Sequence, residues 1–442
     1  MEKFRVLELY SGIGGMHYAL KESHVPAEVV AAVDVNTTAN EIYLHNFPDT
    51  PLWPKTIEGL TLDDFNRLQF DMILMSPPCQ PFTRIGLQGD VLDPRAKSFL
   101  YILDLLPRLA KLPKFLLLEN VKGFETSSAR DALVKTLRDC GYSYQEFLLS
   151  PTCLGIPNSR LRYFLIARAA PGSFSFQMTA EILEVFPKSG MGDSADPAPA
   201  PISAPVPDAC APSAGGDSSR VLYKMETAQN LEKKRLQDTD ESVRRIQDFL
   251  EEEEEEEEEG GVRQSKEQYL LPPKTLLRYA LLMDIVTPRC RRSACFTKGY
   301  GHYVEGTGSV LQSCMDTQVE TAFASLDSLS EEQKLVQLSK LGLRYFTPRE
   351  IANLMGFPQN SLWVYGIRSS SSAPDGPHIT AKLFQLCAGL EFGRPRSTRN
   401  SRDGRSLGQG FPEKTSTKQR YRVLGNSLNV LVVARLIALM VA

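Results

Sequence analysis

Short apolar runs alternate with amphipathic stretches over the first 168 residues of the chain. The runs are four to eight residues long, are rich in Val, Ile, Leu and Phe, and end at Gly, Pro, Asn or Asp, as buried strands do. They predict strands at residues 4–10, 28–33, 70–75, 114–118 and 161–167. Between them, the periodicities of residues 98–109 and 129–140 predict helices. This alternation predicts a parallel sheet with helices on both faces.

Three low-complexity segments interrupt the pattern. Residues 189–219 consist mostly of Ser, Gly, Pro and Ala and contain no aromatic residue, which predicts a disordered linker. Residues 251–259 are nine consecutive glutamates, and because like charges repel we interpret them as a solvated acidic tract. Residues 361–410, rich in Ser, Arg and Gly, follow one Gly-Phe-Pro copy and run into a second. We interpret them as a surface loop or an unspliced exon. Since long surface insertions cost little loop entropy, we expect a disordered bulge and an intact pocket.

Composition narrows the class of protein. Hydrophobic residues are 42% and aromatic residues 9%, which suits a globular core. The formal charge of −3 excludes a generally basic coat protein for nucleic acid but allows a local basic patch. No apolar run approaches the roughly 20 residues that span a bilayer, and no apolar signal region begins the chain. We therefore expect no membrane partner and a cytoplasmic protein, with the nucleus as a second compartment. Eight scattered cysteines without a Cys-x-x-Cys pair, and five histidines, predict no metal site.

A glycine-rich turn follows the first predicted strand. Ser11, Gly12, Gly14 and Gly15 lead into a helix, and small residues there let a ligand approach the amides of the helix N-terminus. Asp34 ends the second predicted strand, where a carboxylate can hold the hydroxyl pair of a ribose. The spacing is not Gly-x-Gly-x-x-Gly, so a tight turn without a ligand remains the alternative.

Three further motifs follow predicted strands. Cys79 lies among the prolines of residues 76–82, which hold its thiol in a fixed direction, although a buried structural cysteine is the alternative. Glu119 ends the next strand and lies beside the Cys79 loop if the two strands are neighbours; alone, it would be a solvated loop acid. Arg160 and Arg162 share one face of a starting strand because side chains alternate. Such a pair suits either surface salt bridges or the clamping of a phosphate or loop.

Taken in this order, the motifs resemble those of the cytosine-5 methyltransferases. Residues 344–350 with 356–358 resemble the ninth motif of that family, and residues 424–428 resemble the tenth. The resemblance covers residues 1–185, about 265–358 and 411–442. It implies the α/β fold of a class I S-adenosylmethionine-dependent methyltransferase, with a Rossmann-like mixed sheet and a small target-recognition domain.

The chain is accordingly predicted to have five segments. They are a catalytic domain (1–185), a low-complexity linker with the acidic tract (186–264), a target-recognition region with the ninth motif (265–358), an atypical insert (359–410) and a C-terminal segment that completes the catalytic domain (411–442). Within the third segment, we expect strand-like pieces near residues 292–297.

The resemblance also implies a cofactor, S-adenosylmethionine, and a mechanism. The implied cofactor-binding residues are Tyr10, Ile13, Gly14, Gly15, Asp34, Val35, Ile57, Glu58, Ser76, Asn426 and Ser427. The thiolate of Cys79 would attack C6 of a cytosine taken out of its stack, and Glu119 would bond the base near N3. C5 would then take the methyl group and lose its proton while Cys79 leaves. Arg160 and Arg162 would position the loop and the base.

The segment at residues 295–301 favours RNA as the substrate. It resembles the small eukaryotic members of the family that methylate aspartate transfer RNA, which implies cytosine 38 of the anticodon loop as the target. DNA methylation is the alternative, since the catalytic motifs are shared, and weak DNA binding is expected. A catalytically silent RNA-binding homologue is a third possibility, against which the intact Cys79 and Glu119 argue.

The RNA is expected to be held by a local patch. Without the nine glutamates and without the insert, which carries seven basic and three acidic residues, the formal charge of −3 becomes +2. A weakly charged body makes few phosphate contacts, so the salt dependence of binding should be modest. The predicted RNA contacts are Arg84, Arg95, Lys122, Arg292, Cys295, Phe296, Thr297 and Lys298, beside Arg160 and Arg162.

Overall fold

The computed structural model of the chain describes residues 3–78, 96–187, 228–251, 266–324, 326–358 and 410–442. The chain divides into two compact units, residues 1–357 with 410–442 and residues 358–409. The elements below belong to the first unit. The domain boundaries expected from the sequence stay predictions, and most of the insert lies outside the described residues.

A seven-stranded mixed sheet forms the centre of the first unit. Its strands are β1 (Phe4–Leu9), β2 (Ala27–Val33), β3 (Leu52–Trp53), β4 (Met72–Met75), β5 (Phe115–Val121), β6 (Tyr142–Leu149) and β7 (Arg162–Ala169). They lie in the order β3-β2-β1-β4-β5-β7-β6. The pairs from β3 to β5 are parallel, whereas β7 runs antiparallel to both β5 and β6.

The mixed sheet confirms the fold class and corrects the expectation of an all-parallel sheet. All five predicted strands form. The apolar pattern missed β6 because Gln145 and Glu146 interrupt it, yet both side chains are buried. Each is satisfied by polar partners: Gln145 donates to the carbonyl of Glu181, and Glu146 accepts from Arg130 and from the Tyr163 hydroxyl. Buried polar groups that are fully bonded give no hydrophobic signal.

Helices cover both faces of the sheet, as the sequence predicted. The helices before residue 200 are α1 (Gly15–Glu22), α2 (Thr37–Asn46), α3 (Leu62–Leu68), α4 (Lys97–Leu105) and α5 (Ser128–Asp139). Those after it are α6 (Ala228–Thr239), α7 (Pro273–Tyr279), α8 (Val319–Phe323), α9 (Glu331–Ser339), α10 (Pro348–Leu354), α11 (Thr417–Gly425) and α12 (Val430–Val441). Buried residues of α1 and α12 form one apolar cluster with the sheet, and those of α4 and α5 form another.

The last helix, α12, is unusually apolar. Among the described residues, the stretch Thr417–Val441 alone is long and apolar enough to cross a membrane. Two-thirds of its most apolar window is buried in the protein, however, and α12 contributes eight buried residues to the core beside α1. This burial identifies α12 as a core helix.

A smaller three-stranded sheet lies within the region predicted to recognise the target. Its strands are β8 (Ile285–Val286), β9 (Val310–Gln312) and β10 (Leu343–Arg344), in the order β10-β9-β8. Helices α7 and α9 pack beside it in an apolar cluster of their own. The expectation of strand-like pieces near residues 292–297 is wrong, because this segment has no regular secondary structure. Its apolar and polar side chains are buried by tertiary contacts rather than by pairing in a sheet.

Candidate active site

The glycine-rich turn after β1 is held in a left-handed conformation. Tyr10, Gly12 and Gly14 have φ angles of 56°, 53° and 86°. A Cβ at Gly14 would lie 2.4 Å from the Phe47 ring, and one at Gly15 would lie 3.0 Å from the Ser427 hydroxyl. The turn therefore needs glycine both for its backbone and for its close contact with the C-terminal segment.

Asp34 fixes this turn from the end of β2. Its carboxylate accepts the amide of Gly12 at 2.8 Å and the amide of Asn36 at 2.7 Å. Asn36 in turn caps α2 by accepting the amide of Ala39, and Asn40 donates to the Asp34 carbonyl at 3.0 Å. The Asp34 carboxylate, predicted to bind a ribose, is thus fixed at the turn by these hydrogen bonds.

The remaining predicted cofactor residues surround the turn at different depths. The Ser76 hydroxyl donates to the Tyr10 carbonyl at 3.2 Å, and the Tyr10 hydroxyl donates to Ser98 at 2.9 Å. Glu58 is close enough for its charge to raise the pKa of Tyr10, in addition to the larger effect of burial. Ile13 and Ile57 are buried, whereas Val35, Glu58 and Asn426 are exposed.

A buried acid that the sequence did not reveal lies beneath the turn. Glu8 is fully buried in β1; its Oε2 accepts the Tyr43 hydroxyl at 2.7 Å and its Oε1 accepts the His17 amide at 3.2 Å. The Tyr43 hydroxyl is also 2.9 Å from Nδ1 of His17. Burial raises the pKa of Glu8 to about 8 and lowers the pKa of His17 to about 3. Both groups are therefore neutral between about pH 3 and pH 8.

Glu119 lies next to the start of the Cys79 loop. Because β4 and β5 are parallel neighbours with Met75 opposite Leu118, Ser76 just after β4 and Glu119 within β5 occupy adjacent positions across the two strands. This confirms that the two strands are adjacent, while Cys79 itself lies outside the described residues. Glu119 is 9% exposed and pairs with Arg162, whose Nε is 3.5 Å from Oε1. Burial raises the pKa of the Glu119 carboxyl, against the opposing charges of Arg162 and Arg160.

Arg160 ties three parts of the chain together. Its guanidinium is buried and donates to the carbonyls of Phe296 at 3.0 Å, Gly425 at 3.2 Å and Ser427. It also donates to Cys295 Sγ at 3.4 Å. Arg160 therefore links residues 425–427 to the 295–297 segment. Arg162 is the arginine that contacts Glu119.

Cys295 lies between the two arginines. Arg162 donates to its sulfur at 3.8 Å, beside the contact from Arg160. Burial raises the pKa of this thiol, but the two guanidinium charges outweigh it and the pKa is lowered. Through Arg162, Cys295 therefore links residues 295–297 to the Glu119 carboxylate.

Two predicted RNA contacts belong to the interior. Arg292 is 8% exposed and pairs with Asp284 at 2.8 Å, so its charge is neutralised within the protein. Phe296 is 2% exposed and packs edge-on against Tyr300 and Phe346. In this conformation neither side chain presents a surface to RNA.

The other predicted RNA contacts differ in position. Lys122 and Lys298 are exposed, and Thr297 is half-buried. Arg84 and Arg95 lie outside the described residues.

Within the described part of the chain, no group of three or more His, Cys, Asp or Glu side chains is arranged to hold a metal ion.

Known proteins are similar to this chain in sequence and in fold. A model of the C-5 cytosine-specific DNA methylase family matches residues 4–375. The chain is 54% identical to the tRNA (cytosine(38)-C(5))-methyltransferase of Bos taurus and 52% identical to that of Homo sapiens, with full coverage of both chains. It is also similar to the crystal structure of a Spodoptera frugiperda DNMT2 mutant, with a TM-score of 0.67, 33% identity and full coverage of both chains.

The chain belongs to the cytosine-5 methyltransferase family. Two orphaned polar atoms show that the turn of this methyltransferase suits the cofactor that the family implies. Ser11 Oγ and Asn40 Oδ1 are buried beside the turn and have no hydrogen-bond partner among the described atoms. A ligand with amino and hydroxyl groups, such as S-adenosylmethionine, can satisfy such atoms. The amides at the start of α1 and the Asp34 carboxylate complete a set of donors and acceptors that fits this group.

Proposed function

We propose that this methyltransferase transfers a methyl group from S-adenosylmethionine to C5 of cytosine 38 in the anticodon loop of aspartate tRNA. The observation that supports cytosine 38 of a tRNA as the target is identity above 50% over full length to the bovine and human enzymes named for this position. The choice of aspartate tRNA rests on the resemblance of residues 295–301. The observation that supports the chemistry is the buried pair of Glu119 and Arg162 beside the start of the Cys79 loop.

The proposed reaction begins with a covalent bond between the enzyme and the base. The thiolate of Cys79 adds to C6 of the cytosine, and the electron pair of the C5–C6 double bond makes C5 nucleophilic. A cytosine must leave its stack to reach the thiolate, and an unpaired anticodon loop lowers the cost of this step. When bound, the cofactor supplies an electrophilic methyl group.

Glu119 stabilises the ring while C5 reacts. Its carboxyl is buried and retains a proton more readily than a surface carboxyl, which suits a hydrogen bond to N3 of the base. Arg162 holds the carboxyl in place at 3.5 Å. After methyl transfer, C5 loses its proton and the double bond re-forms as the bond between sulfur and C6 breaks. Cys79 is thereby released as a thiolate.

The substrate is tested by comparing RNA with DNA. Labelled methyl groups from S-adenosylmethionine should enter an aspartate tRNA transcript at cytosine 38, and duplex DNA should be a poor acceptor. DNA is the competing substrate because the matching family model is named for DNA. A clear preference for DNA would overturn the proposal.

The mechanism is tested by trapping the intermediate. An aspartate tRNA carrying 5-fluorocytosine at position 38 should form an adduct with Cys79 that survives denaturation, because fluorine cannot leave C5 as a proton does. Cys79→Ala should form none. Glu119→Gln should lower kcat about 10²- to 10⁴-fold, because the amide keeps the shape but loses the acid. Glu28→Gln, at an exposed position of β2, is the matched control and should keep full activity.

A further inference from the structure

Tyr303 stands apart from every other aromatic side chain in the described part of the chain. It is 65% exposed, whereas each other described Phe, Tyr or Trp is buried or half-buried. Burying an aromatic ring is strongly favourable, so a ring kept in water is available for a partner. We propose that Tyr303 is a stacking platform for an unpaired base of the RNA, which extends the proposed function to a specific substrate contact.

The backbone that carries Tyr303 is closely fixed. The amide of Thr297 donates to the Thr307 carbonyl at 2.9 Å and closes a loop over residues 297–307. Inside it, the Tyr303 amide donates to the Gly299 carbonyl at 2.9 Å, and the Thr307 hydroxyl donates to the Tyr303 carbonyl at 2.7 Å. A ring on such a loop loses little conformational freedom on binding.

The ring itself is also held. A Cβ at Gly299 would lie 3.0 Å from Cδ2 of Tyr303, so the ring rests against the glycine backbone. His302 contacts it in an edge-on arrangement with ring centroids 4.7 Å apart. These contacts orient the aromatic ring while most of its surface remains exposed.

The loop is anchored beside the catalytic groups. Cys295, two residues before the loop closes at Thr297, accepts hydrogen bonds from Arg160 and Arg162. Tyr300, inside the loop, donates to the Ser309 carbonyl and accepts the Phe346 amide, which fixes the loop to the small sheet. The loop therefore projects from the point where the target-recognition region meets Glu119 and its arginine.

The chemistry at the tip of the loop suits a single-stranded nucleic acid. Aromatic rings stack on splayed bases of any sequence, and a nearby cation contacts the backbone phosphate. Lys298 is exposed at the start of the same loop and supplies that cation. A protein partner would call for an apolar surface around the ring, whereas the exposed sequence neighbours of Tyr303 are Gly301, His302, Glu305 and Gly306.

Steady-state methylation of an aspartate tRNA transcript tests this role. Tyr303→Ala should raise KM for the tRNA about 5- to 100-fold with little change in kcat, as expected for the loss of one stacked base. Tyr303→Phe and Tyr303→Trp should keep wild-type KM within about twofold. Val185→Ala removes another side chain that is 65% exposed and should have no effect.

A second measurement separates stacking from a change in folding. Transcripts with one abasic nucleotide in the anticodon loop should each be assayed with the wild type and with Tyr303→Ala. At the nucleotide whose base stacks on Tyr303, the two changes together should raise KM no more than the larger single change does. At every other position their fold-increases in KM should multiply. Fold-increases that multiply at every position, or an unchanged KM in Tyr303→Ala, would overturn the stacking role and favour a protein contact. If the wild type failed to methylate tRNA at all, the proposed function would fail instead.

Discussion

The role of the Glu8 carboxyl could not be predicted from the sequence. It sits in a strand where Val6, Leu7 and Leu9 are also buried, so side chains on both faces of β1 are inside the protein. Alternation of polar and apolar residues is typical of strands with one solvent-exposed face, so it gives no signal in a strand that is buried on both faces. Asp34 was predictable, because it follows a strand that leads to a glycine-rich turn. Glu8 required the observed positions of Tyr43 and His17.

The pH dependence of stability should report Glu8. Its folded-state pKa of about 8 lies above the ordinary value of 4.5, so the folded protein holds a proton that the unfolded chain has released between these pH values. The contribution of Glu8 to the free energy of unfolding is therefore complete below pH 4.5 and is lost as the pH rises through 8. The expected loss is on the order of a few kcal/mol.

Glu8→Gln isolates this effect, because the amide cannot titrate and still accepts the hydrogen bond of Tyr43. Urea denaturation of the wild type, Glu8→Gln and the exposed Glu28→Gln should be compared between pH 5 and 8.5. The wild type and Glu28→Gln should weaken together as the pH rises, while Glu8→Gln gains stability relative to both. Three parallel curves would contradict the assignment.

At the scale of elements, the C-terminal end of α11 packs directly against the peptide between Thr297 and Lys298. A Cβ on Gly425, the last residue of α11, would lie 2.2 Å from the Thr297 carbonyl carbon and 2.2 Å from the Lys298 nitrogen. These are backbone atoms that cannot move aside easily. The helix and the loop therefore meet at a point where only glycine fits, next to the carbonyls that Arg160 binds.

Gly425→Ala should accordingly destabilise the protein. Helix propensity alone would favour alanine by about 1 kcal/mol, but the clash should reverse the sign and cost about 2–4 kcal/mol. Thermal or urea unfolding measures the change, and affinity for S-adenosylmethionine should fall because Ser427 is displaced. Gly410→Ala is the control, since a Cβ there has no atom within 4 Å. Equal stability of the two variants would show that the contact yields without cost.

The elements themselves were predictable to different degrees. The five strands with continuous apolar runs form as expected, and so do the helices between them. The direction of β7 was not predictable from the pattern, because a buried strand reads the same whether its neighbours are parallel or antiparallel. The segment at residues 292–297 was misread because its burial comes from Arg160, Ser309 and Tyr300 rather than from strand pairing.

At the scale of the whole molecule, the chain on either side of the insert is fixed by separate contacts. Phe357 packs edge-on against Tyr18 of α1, with ring centroids 5.5 Å apart. Gly410 exchanges two hydrogen bonds with Asn46 at the end of α2, at 2.9 and 3.0 Å. Both contacts are made by residues outside 361–409.

Deleting residues 361–409 should therefore leave the cofactor site intact. The dissociation constant of S-adenosylmethionine, measured by calorimetry, should change by less than about threefold, because a surface insertion costs mainly loop entropy. The melting temperature should change little for the same reason. A large gain in affinity on deletion would show that the insert competes with the cofactor or distorts its pocket.

The proposed cofactor site joins residues 10–15 to Ser427, which is far away in sequence, and this determines when during synthesis the site can form. Residues 10–15 leave the ribosome well before Ser427 and α12 do. Until then, the face of α1 and β1 that α12 covers remains open, and its apolar side chains are the kind that chaperones bind. A nascent chain stopped before residue 430 should thus carry Asp34 and Glu119 without a working pocket.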